Sequence, residues 1–330
     1  MRILVAGGAG YIGSHMTKML LDTGHEAVVV DNLCHGFRDA VPHEVFVKGD
    51  LCDGALLDRI FSAKRIDGVM HFASFIQVGE SVVRPSKYYW NNVANTISLL
   101  DAMVRNGAPP LIFSSTAAIF GEPEYVPIDE GHPKNPANPY GRSKWMVEQM
   151  LADYGRAYGL RYSCLRYFNA AGADPGGTLG ERHEPETHLI PIALRVASGR
   201  LPSIKVYGTD YDTPDGTCVR DYVHVADLSR AHMLAMERLL CGDASRSYNL
   251  GNGNGFSVRE VLTAVNRVTA RAITVCEAPR RAGDPARLVA DSSRARTELG
   301  WRPRYAALDA IISHAWAWER RMAGRHVAVA

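Results

Sequence analysis

Three glycines that follow the first apolar run constrain the fold more than any other feature of the chain. The run at 3–6 leads directly into Gly7, Gly10 and Gly13, and Gly8 with the last two also fits a Gly-x-Gly-x-x-Gly pattern. Glycine at this spacing lets the chain turn sharply, lets an anion approach the backbone, and lets the next helix pack closely on the strand. A strand, a glycine turn and a helix in this order predict a dinucleotide-binding unit.

A carboxylate, Asp31, closes the second apolar run. In dinucleotide-binding folds an acidic residue at this place accepts hydrogen bonds from the adenosine ribose and repels the 2′-phosphate of NADP. The glycine turn and Asp31 together predict NAD as the cofactor. A purely structural turn with a surface aspartate is the alternative, which the flanking strand and helix disfavour.

Short apolar runs alternate with stretches of helical periodicity through the first half of the chain. The runs are apolar on both faces and rich in Val and Ile, as strands covered by helices on both sides must be. This alternation predicts an α/β fold, a doubly wound parallel Rossmann sheet with a second, smaller α/β substrate lobe. The runs lie at 3–6, 27–30, 45–47, 69–72, 111–113 and 162–167.

The pattern changes after about residue 169, where Pro- and Gly-rich loops replace the regular alternation. We expect residues 1–168 to form the NAD-binding domain, with an added segment near 221–245, and residues 169–330 to form mainly the substrate lobe. No flexible linker separates the two parts. The expected site is therefore a cleft between packed lobes.

Composition excludes several classes of protein. With 46% apolar residues and a net charge of +2, the chain can bury a core but lacks the positive field that nucleic-acid or anionic-membrane binding requires. The six cysteines form no Cys-x-x-Cys pair, and no apolar run suits a signal peptide or a spanning helix. These features predict a cytoplasmic protein with reduced thiols.

A helix that carries a tyrosine and a lysine is predicted to begin after Asn138. Asparagine is a good N-cap, and Pro139 suits the first turn. Tyr140 and Lys144 then lie one turn apart on one face. A tyrosine that acts as a base near neutral pH needs a lowered pKa, for which a lysine and a positive nicotinamide ring in a dry cleft supply the charge. Two exposed helix residues are the alternative, which the upstream glycine motif disfavours.

Sequence blocks spread along nearly the whole chain carry a family resemblance. They include GGAGYIGSH at 7–15, FSSTAAIFG at 113–121, PYGRSK at 139–144, RYFNAAGADP at 166–175, THLIP at 187–191, DGTCVRDYVHV at 215–225 and APRRAGDPARLVAD at 278–291. The chain resembles the extended short-chain dehydrogenase/reductase family and, within it, the UDP-glucose (UDP-galactose) 4-epimerases. The resemblance implies C4 epimerisation of UDP-hexoses through a transient 4-keto sugar, with NAD kept bound. It also implies a homodimer built on a helix bundle beside the catalytic helix.

The resemblance assigns roles to individual residues. Tyr140 is the catalytic base, Thr116 the hydroxyl that links it to the sugar, and Lys144 the residue that binds the nicotinamide ribose. The cofactor-binding set is Gly7, Gly10, Tyr11, Ile12, Gly13, Asp31, Asn32, Asp50, Leu51, Phe72, Ala73, Asn91, Ser114, Tyr140, Lys144 and Phe168. The substrate-binding set is Thr116, Asn169, His188, Leu189, Lys205, Val206, Tyr207, Arg220, Arg281, Asp284 and Leu288.

Some positions depart from the pattern of these epimerases. Ile76 stands where many of them have a lysine, which removes one cofactor-phosphate contact, and Thr116 replaces the more usual serine. A nucleotide-sugar 4,6-dehydratase or decarboxylase of the same fold is an alternative function. Dehydratases carry an Asp-Glu pair directly after the threonine, where this chain has Ala117 and Ala118. A non-catalytic NAD-binding regulator is a weaker alternative, because it would not need Tyr140 and Lys144 together.

One residue bears on which sugars fit. By resemblance, the fourth residue after Asp284 lies against the hexose 2-position, and that residue is Leu288. A tyrosine there excludes an N-acetyl group, whereas leucine is shorter. We therefore expect UDP-glucose/UDP-galactose as one substrate pair and UDP-GlcNAc/UDP-GalNAc as a second, slower pair.

A cluster of acidic residues and histidines at 183–188 has the composition of a metal site. Pro185 interrupts any helix there, so His183 and His188 cannot share a helix face as in zinc-binding helices. We therefore expect no metal and a loop that enters the substrate site. Ser257 and Glu260 predict a capping box, which is structural.

Overall fold

The computed structural model describes residues 1–281 and 283–327. Within these residues the strands are β1 Arg2–Ala6, β2 Glu26–Asp31, β3 Phe46–Lys48, β4 Gly68–His71, β5 Leu111–Thr116, β6 Tyr162–Tyr167, β7 Asn169–Ala171, β8 Ile204–Tyr207, β9 Val219–Arg220, β10 Tyr222–His224, β11 Arg246–Leu250, β12 Phe256–Ser257, β13 Val275–Ala278 and β14 Arg287–Leu288. The helices are α1 Tyr11–Asp22, α2 Gly54–Ala63, α3 Val78–Val83, α4 Pro85–Tyr88, α5 Asn95–Arg105, α6 Pro139–Tyr158, α7 Leu189–Ala197, α8 Val225–Leu240, α9 Val258–Thr269, α10 Ser293–Glu298 and α11 Leu308–Val327. A π-helical segment, Tyr89–Ala94, joins α4 to α5.

A parallel sheet forms the centre of the molecule. In the described part of the chain it has seven strands in the order β11-β6-β5-β4-β1-β2-β3. Alternate side chains of β1 enter different cores: Ile3 and Val5 pack on the face covered by α1 and α8, and Leu4 and Ala6 on the face covered by α2, α5 and α6. Burial on both faces explains the continuous apolar runs, and the predicted doubly wound fold is confirmed.

The edge strand β11 was not among the predicted strands. Its sequence, Arg-Ser-Tyr-Asn-Leu, is mixed in polarity, so it gives no apolar run. Pairing with β6 still places it in the sheet, and the preceding helix α8 packs against α1. A strand that directly follows the segment near 221–245 thus lies in the central sheet.

The later part of the chain packs around a smaller core. Helices α7, α9 and α11 surround Leu194, Val265 and Ile311. β8 pairs with β13, and β9 lies between β12 and β14. The predicted capping box of α9 is present: Ser257 Oγ accepts from the Glu260 N–H at 3.0 Å, and the Ser257 N–H donates to Glu260 Oε2 at 2.7 Å.

All six cysteines are free thiols, two of them buried. Among the residues that the structure describes, no helix is both long enough and apolar enough to cross a membrane.

Candidate active site

The predicted cofactor-binding residues lie along one edge of the parallel sheet. Gly7 follows β1, Asp31 ends β2, Phe72 follows β4, and Ser114 lies in the last half of β5. The carboxyl ends of parallel strands meet at one edge, which is where open α/β sheets bind ligands. The same edge receives Asn32, Asp50, Leu51, Ala73 and Phe168 from the segments that follow their strands.

The glycine turn leaves no room for a side chain at Gly7 or Gly13. Gly7 has φ +78°, and a Cβ there would lie 2.4 Å from the backbone nitrogen of Ala73. A Cβ on Gly13 would lie 2.3 Å from the Gly7 carbonyl oxygen. Gly10 caps α1 without a side chain, so the N–H groups of the first turn, including those of Tyr11 and Ile12, have no side-chain acceptor. This bare helix N-terminus fits the pyrophosphate of a dinucleotide.

Asp31 is held beside the glycine turn by two backbone donors. Its Oδ2 accepts from the Ala9 N–H at 3.0 Å, and its Oδ1 accepts from the Leu33 N–H at 2.8 Å. The carboxyl group is nearly buried, and this burial raises its pKa. The structure thus orients one carboxylate at the end of β2, where the sequence predicts a ribose contact.

A second polar network follows β3. Asn32 donates to Asp50 Oδ2 at 2.6 Å, and Asn95 donates to Asp50 Oδ1 at 3.0 Å. Burial opposes ionisation of Asp50, but hydrogen bonds from Cys52 and Asn32 outweigh it and lower its pKa. Asp50 is therefore a fixed, charged acceptor at the same edge as Asp31.

Helix α6 begins as predicted and directs Lys144 into the interior. Asn138 accepts from the Gly141 N–H at 2.9 Å, which caps the helix. Lys144 is 2% exposed, and its Nζ donates to Ser74 Oγ at 2.7 Å and to the Ser114 carbonyl at 2.8 Å. Burial lowers the pKa of Lys144 to about 7, against the opposing field of Glu148.

Tyr140 and Thr116 meet at the start of α6. The two side chains are in hydrogen-bond contact, and Thr116 also accepts from the Ala118 N–H at 3.1 Å. Burial raises the pKa of Tyr140, and the hydrogen bond from Thr116 only partly offsets this. In the chain alone Tyr140 is therefore protonated at neutral pH, and its use as a base requires a nearby positive charge.

A buried ion pair behind these residues was not predicted. Arg166 Nη2 donates to Glu148 Oε2 at 2.5 Å, and Ser115 Oγ donates to Glu148 Oε1 at 2.5 Å. Both charged side chains are at most 5% exposed. Glu148 lies one turn beyond Lys144 on α6, on the same helix face. This spacing was the one sequence signal that could have pointed to Glu148.

Asn92 is a second residue that the sequence analysis missed. It is 1% exposed and exchanges hydrogen bonds with the Phe75 backbone at 2.9 and 3.0 Å. It also donates to Ser143 Oγ on α6 at 3.0 Å and accepts from Asn91, a predicted cofactor residue, at 2.9 Å. Asn92 therefore holds the loop after β4 against the helix of Tyr140 and Lys144.

Comparison with known proteins decides which family has this arrangement. The model of the NAD dependent epimerase/dehydratase family matches residues 3–251. The chain belongs to this family. Membership, together with NAD-bound solved relatives, confirms NAD as the predicted cofactor.

Named relatives match over nearly the whole chain. The UDP-glucose 4-epimerase of Halalkalibacterium halodurans is 51% identical over 97% of this chain and 96% of its own length. The crystal structure of UDP-glucose 4-epimerase from Brucella ovis in complex with NAD has a TM-score of 0.93 at 51% identity, covering 96% of this chain and 97% of that one. The UDP-Glc/GlcNAc 4-epimerase of Campylobacter jejuni has a TM-score of 0.85 at 42% identity, covering 97% and 99%. The predicted resemblance to 4-epimerases is thus confirmed.

The later part of this epimerase-family chain brings together four residues of the predicted substrate-binding set. Arg220 of β9 donates to Asp284, so two predicted ligand contacts pair with each other. The Arg281 guanidinium lies 3.9 Å from the centre of the Tyr207 ring. Tyr207 therefore presents one ring face to a cation in the chain alone. Arg280, which directly precedes Arg281, binds Asp210 at 2.7 Å on the surface.

Other members of the predicted set differ in what they can offer a ligand. Strand alternation buries Val206 in the lobe core at 3% exposure and directs Lys205 outward, so only the Val206 backbone can reach a ligand. Asn169 lies in β7, and its N–H donates to the Asp221 carbonyl at 3.0 Å. Leu189 is the first residue of α7.

Asp221 was missed although it lies within a recognised block. It is 0% exposed, and its carboxylate accepts from the N–H groups of Asn252, Gly253 and Ala290 at 2.7, 2.9 and 3.1 Å. These bonds fasten the loop after β11 and the segment after β14 to the strand that follows Arg220. Its neighbour Leu288 packs against the cluster around Ile119 and Phe120, which Phe168 also contacts.

Proposed function

We propose that this chain interconverts UDP-hexoses by inverting the configuration at C4. The observation that carries this proposal is the convergence of Tyr140, Thr116 and Lys144 at the sheet edge next to the glycine turn. Close relatives named UDP-glucose 4-epimerase support the substrate class.

The reaction needs a base for the 4-hydroxyl and an acceptor for the hydrogen at C4. When bound, NAD supplies a reversible hydride acceptor for the sugar carbon. Tyr140 takes the hydroxyl proton, directly or through the Thr116 hydroxyl with which it is in contact. The sugar passes through a transient 4-keto form, and return of the hydrogen to the other face leaves no net consumption of cofactor.

Lys144 supplies the charge that Tyr140 lacks. An ammonium group has three donors, and two are taken by Ser74 and the Ser114 carbonyl. The third is free for the nicotinamide ribose. The pKa of Lys144 is about 7 in the chain alone, so its charge is easily changed. The ribose acceptor and the base Tyr140 close to its ammonium group favour the charged form. A charged Lys144 in turn favours ionised Tyr140.

The alternative of a 4,6-dehydratase lacks a proton donor for C5 and C6. After Thr116 the chain enters a short turn, Ala117–Ile119, in which Ala117 and Ala118 carry no acidic group. Elimination therefore has no general acid or base at that place. A regulator without activity would have no use for a buried lysine beside a tyrosine.

The sugar range is proposed to include N-acetylated hexoses. Leu288 lies in β14 directly beside Arg220, and its side chain contacts the cluster that includes Phe168. A leucine at that position leaves space that a tyrosine ring would fill. The relative named a UDP-Glc/GlcNAc 4-epimerase supports the same range.

We further propose two lobes with separate roles and a homodimer. Residues 1–168 with the segment from α8 to β11 hold NAD, and the remaining chain holds the UDP-sugar. Large apolar side chains are exposed on α6 and on the helical segments beside it: Met146 of α6 at 41%, Val83 at 76%, Trp90 at 71% and Ile97 at 39%. A second copy that covers this face would remove a costly apolar surface from water. Free thiols suit the reducing cytoplasm, where we place the enzyme.

The direct test is product analysis without added cofactor. Purified protein incubated with UDP-galactose is expected to form UDP-glucose to equilibrium. A requirement for stoichiometric free NAD, or release of a 4-keto-6-deoxy sugar, would overturn the proposal.

A further inference from the structure

Four potential metal ligands converge on the loop between β7 and α7. The side chains are those of Glu181, His183, Glu186 and His188, and one ligand atom from each lies within 4.8 Å of all the others. The loop contains no helix, so the sequence argument that His183 and His188 cannot share a helix face does not exclude a metal site here. Instead the two imidazole rings approach to 5.2 Å between centroids.

The distances within this cluster fit a common central ion. His183 Nδ1 lies 3.2 Å from Glu181 Oε1 and 3.7 Å from Glu186 Oε2. His188 Nδ1 lies 2.7 Å from Glu181 Oε1 and 3.1 Å from Glu186 Oε1. Ligands at zinc bond lengths of ~2.0–2.2 Å in a tetrahedron are ~3.3–3.6 Å apart. The two His183 distances lie close to this range, whereas the two His188 distances are shorter because His188 Nδ1 contacts both carboxylates directly.

Hydrogen bonding accounts for only part of the arrangement. Glu186 Oε1 accepts from the N–H groups of Thr187 and His188 at 2.8 and 3.0 Å and contacts His188 Nδ1 at 3.1 Å. His183 Nδ1 and Glu186 Oε2 are buried and have no hydrogen-bond partner, although the Glu186 side chain is 1% exposed. His183 Nδ1 at 3.7 Å and Arg195 Nη2 at 3.8 Å lie near Glu186 Oε2, but both are beyond hydrogen-bond reach. Buried polar atoms without partners are costly, and one bound cation would satisfy both of these atoms.

We propose that Glu181, His183, Glu186 and His188 bind one zinc ion. Two imidazoles and two carboxylates are donors that zinc accepts, and neutral histidines with two carboxylates balance a dication. All four positions are filled by protein, so the ion has no open site for substrate or water. The site is therefore structural and takes no part in the hydride transfer.

The ion would join parts of the molecule that form the cleft. Trp318 of α11 donates to the Glu181 carbonyl at 3.2 Å, and the His183 ring lies edge-on to Tyr11 of α1 at 6.3 Å. Tyr11 in turn donates to the Gly172 carbonyl at 2.7 Å. His188 directly precedes α7, whose first residue is the predicted substrate contact Leu189. Zinc would thus fix the loop between the sheet edge and the substrate lobe.

The test measures metal in the untagged, full-length protein grown with zinc and purified without chelator. We expect about one zinc ion per chain by elemental analysis. His183→Asn and Glu186→Gln should each lose it, whereas His43→Asn, which changes an exposed histidine outside the cluster, should retain it. Chelation should lower the melting temperature of the wild type, and added zinc should restore it.

A second measurement applies if the variants fail to fold. Cobalt(II) added to chelated wild type should give the strong visible absorption of a tetrahedral centre at one equivalent, and zinc should displace it. Absence of bound metal and of any cobalt spectrum in the wild type would overturn the proposal. Equal zinc content in all three variants would also overturn it, since the ion would then lie elsewhere.

Discussion

The buried carboxylate of Glu148 lies one helical turn beyond Lys144, yet it binds Arg166 rather than the lysine. Lys144 Nζ instead points to Ser74 and the Ser114 carbonyl at the sheet edge. The acid on the lysine's own helix is thus used to fasten α6 to β6. Its field reaches Lys144 but leaves the lysine's donors directed toward the cleft.

Breaking this ion pair should destabilise the protein. Glu148→Gln leaves the Arg166 guanidinium buried without an anion, which costs about 3–5 kcal/mol in other buried pairs. Urea unfolding should show this loss in the free energy of unfolding. The control Glu277→Gln removes one partner of an exposed ion pair with Arg259. It should change the free energy of unfolding by less than about 1 kcal/mol. Equal effects of the two substitutions would contradict the structural role of Glu148.

Removing the Tyr140 hydroxyl should stop catalysis without weakening substrate binding. Tyr140→Phe is expected to lower kcat by ~10²–10⁴-fold, the usual contribution of a general base, with UDP affinity near that of the wild type. Tyr154→Phe, on the same helix as Tyr140, is the matched control, because the Tyr154 hydroxyl donates to Asp101 of α5, away from the sheet edge. Near-normal turnover of Tyr140→Phe in a coupled assay would show that another residue is the base.

Asp31 should decide between NAD and NADP. Asp31→Asn removes the charge but keeps an acceptor for the Ala9 or Leu33 N–H, so the glycine turn is disturbed less than by alanine. Relative affinity for NADP should rise by ~10-fold or more, equivalent to about 1.4 kcal/mol. The measurement is reconstitution of cofactor-free protein with each dinucleotide. An unchanged ratio would place the adenosine ribose away from Asp31.

Leu288 should control access of N-acetylated sugars. Leu288→Tyr fills the space beside Arg220 and Phe168, so kcat/KM for UDP-GlcNAc and UDP-GalNAc should fall by ~10-fold or more while that for UDP-glucose is retained. Leu288→Met, which conserves volume, serves as the control. The idea fails if both substrate pairs lose activity equally, or if the wild type does not turn over the acetylated pair.

Two buried histidines should make the protein sensitive to acid. Burial lowers the pKa of His71 to about 3, with a contribution from Lys144, and burial lowers that of His232 to about 4. In the unfolded chain a histidine has a pKa of about 6.5. Between about pH 6.5 and the lower folded-state pKa values, the unfolded chain therefore binds more protons than the folded protein, and the free energy of unfolding falls as pH drops below about 6.5. At pH 5 each of the two histidines should lower the free energy of unfolding by about 2 kcal/mol relative to its value at pH 7.5. Urea unfolding at both pH values measures this, and His71→Asn should reduce the loss, whereas the exposed-site variant His43→Asn should not.

Local patterns were enough for six of the seven strands that the described residues place in the central sheet. The apolar run at 111–113 predicts a strand because its residues are buried on both faces, and the glycine spacing after β1 is needed for a sharp turn whatever the rest of the chain does. The strand β5 nevertheless continues to Thr116. Its polar last residues break the apolar pattern, but they are buried because α6 and β6 cover them.

Long-range contacts decided the rest. β11 is a strand because β6 offers it an open edge, and Glu148 is a buried acid because Arg166 faces it from β6. The loop that holds His183 and His188 packs against α1 and α11, and this packing brings the two rings together. Spacing rules for helices do not predict such a contact within a loop. The sequence by itself determined the strands β1 to β6, the glycine turn and the residue types that chemistry needs. Only the tertiary structure decided which side chains meet, because partners far apart in the chain are chosen by packing and not by spacing.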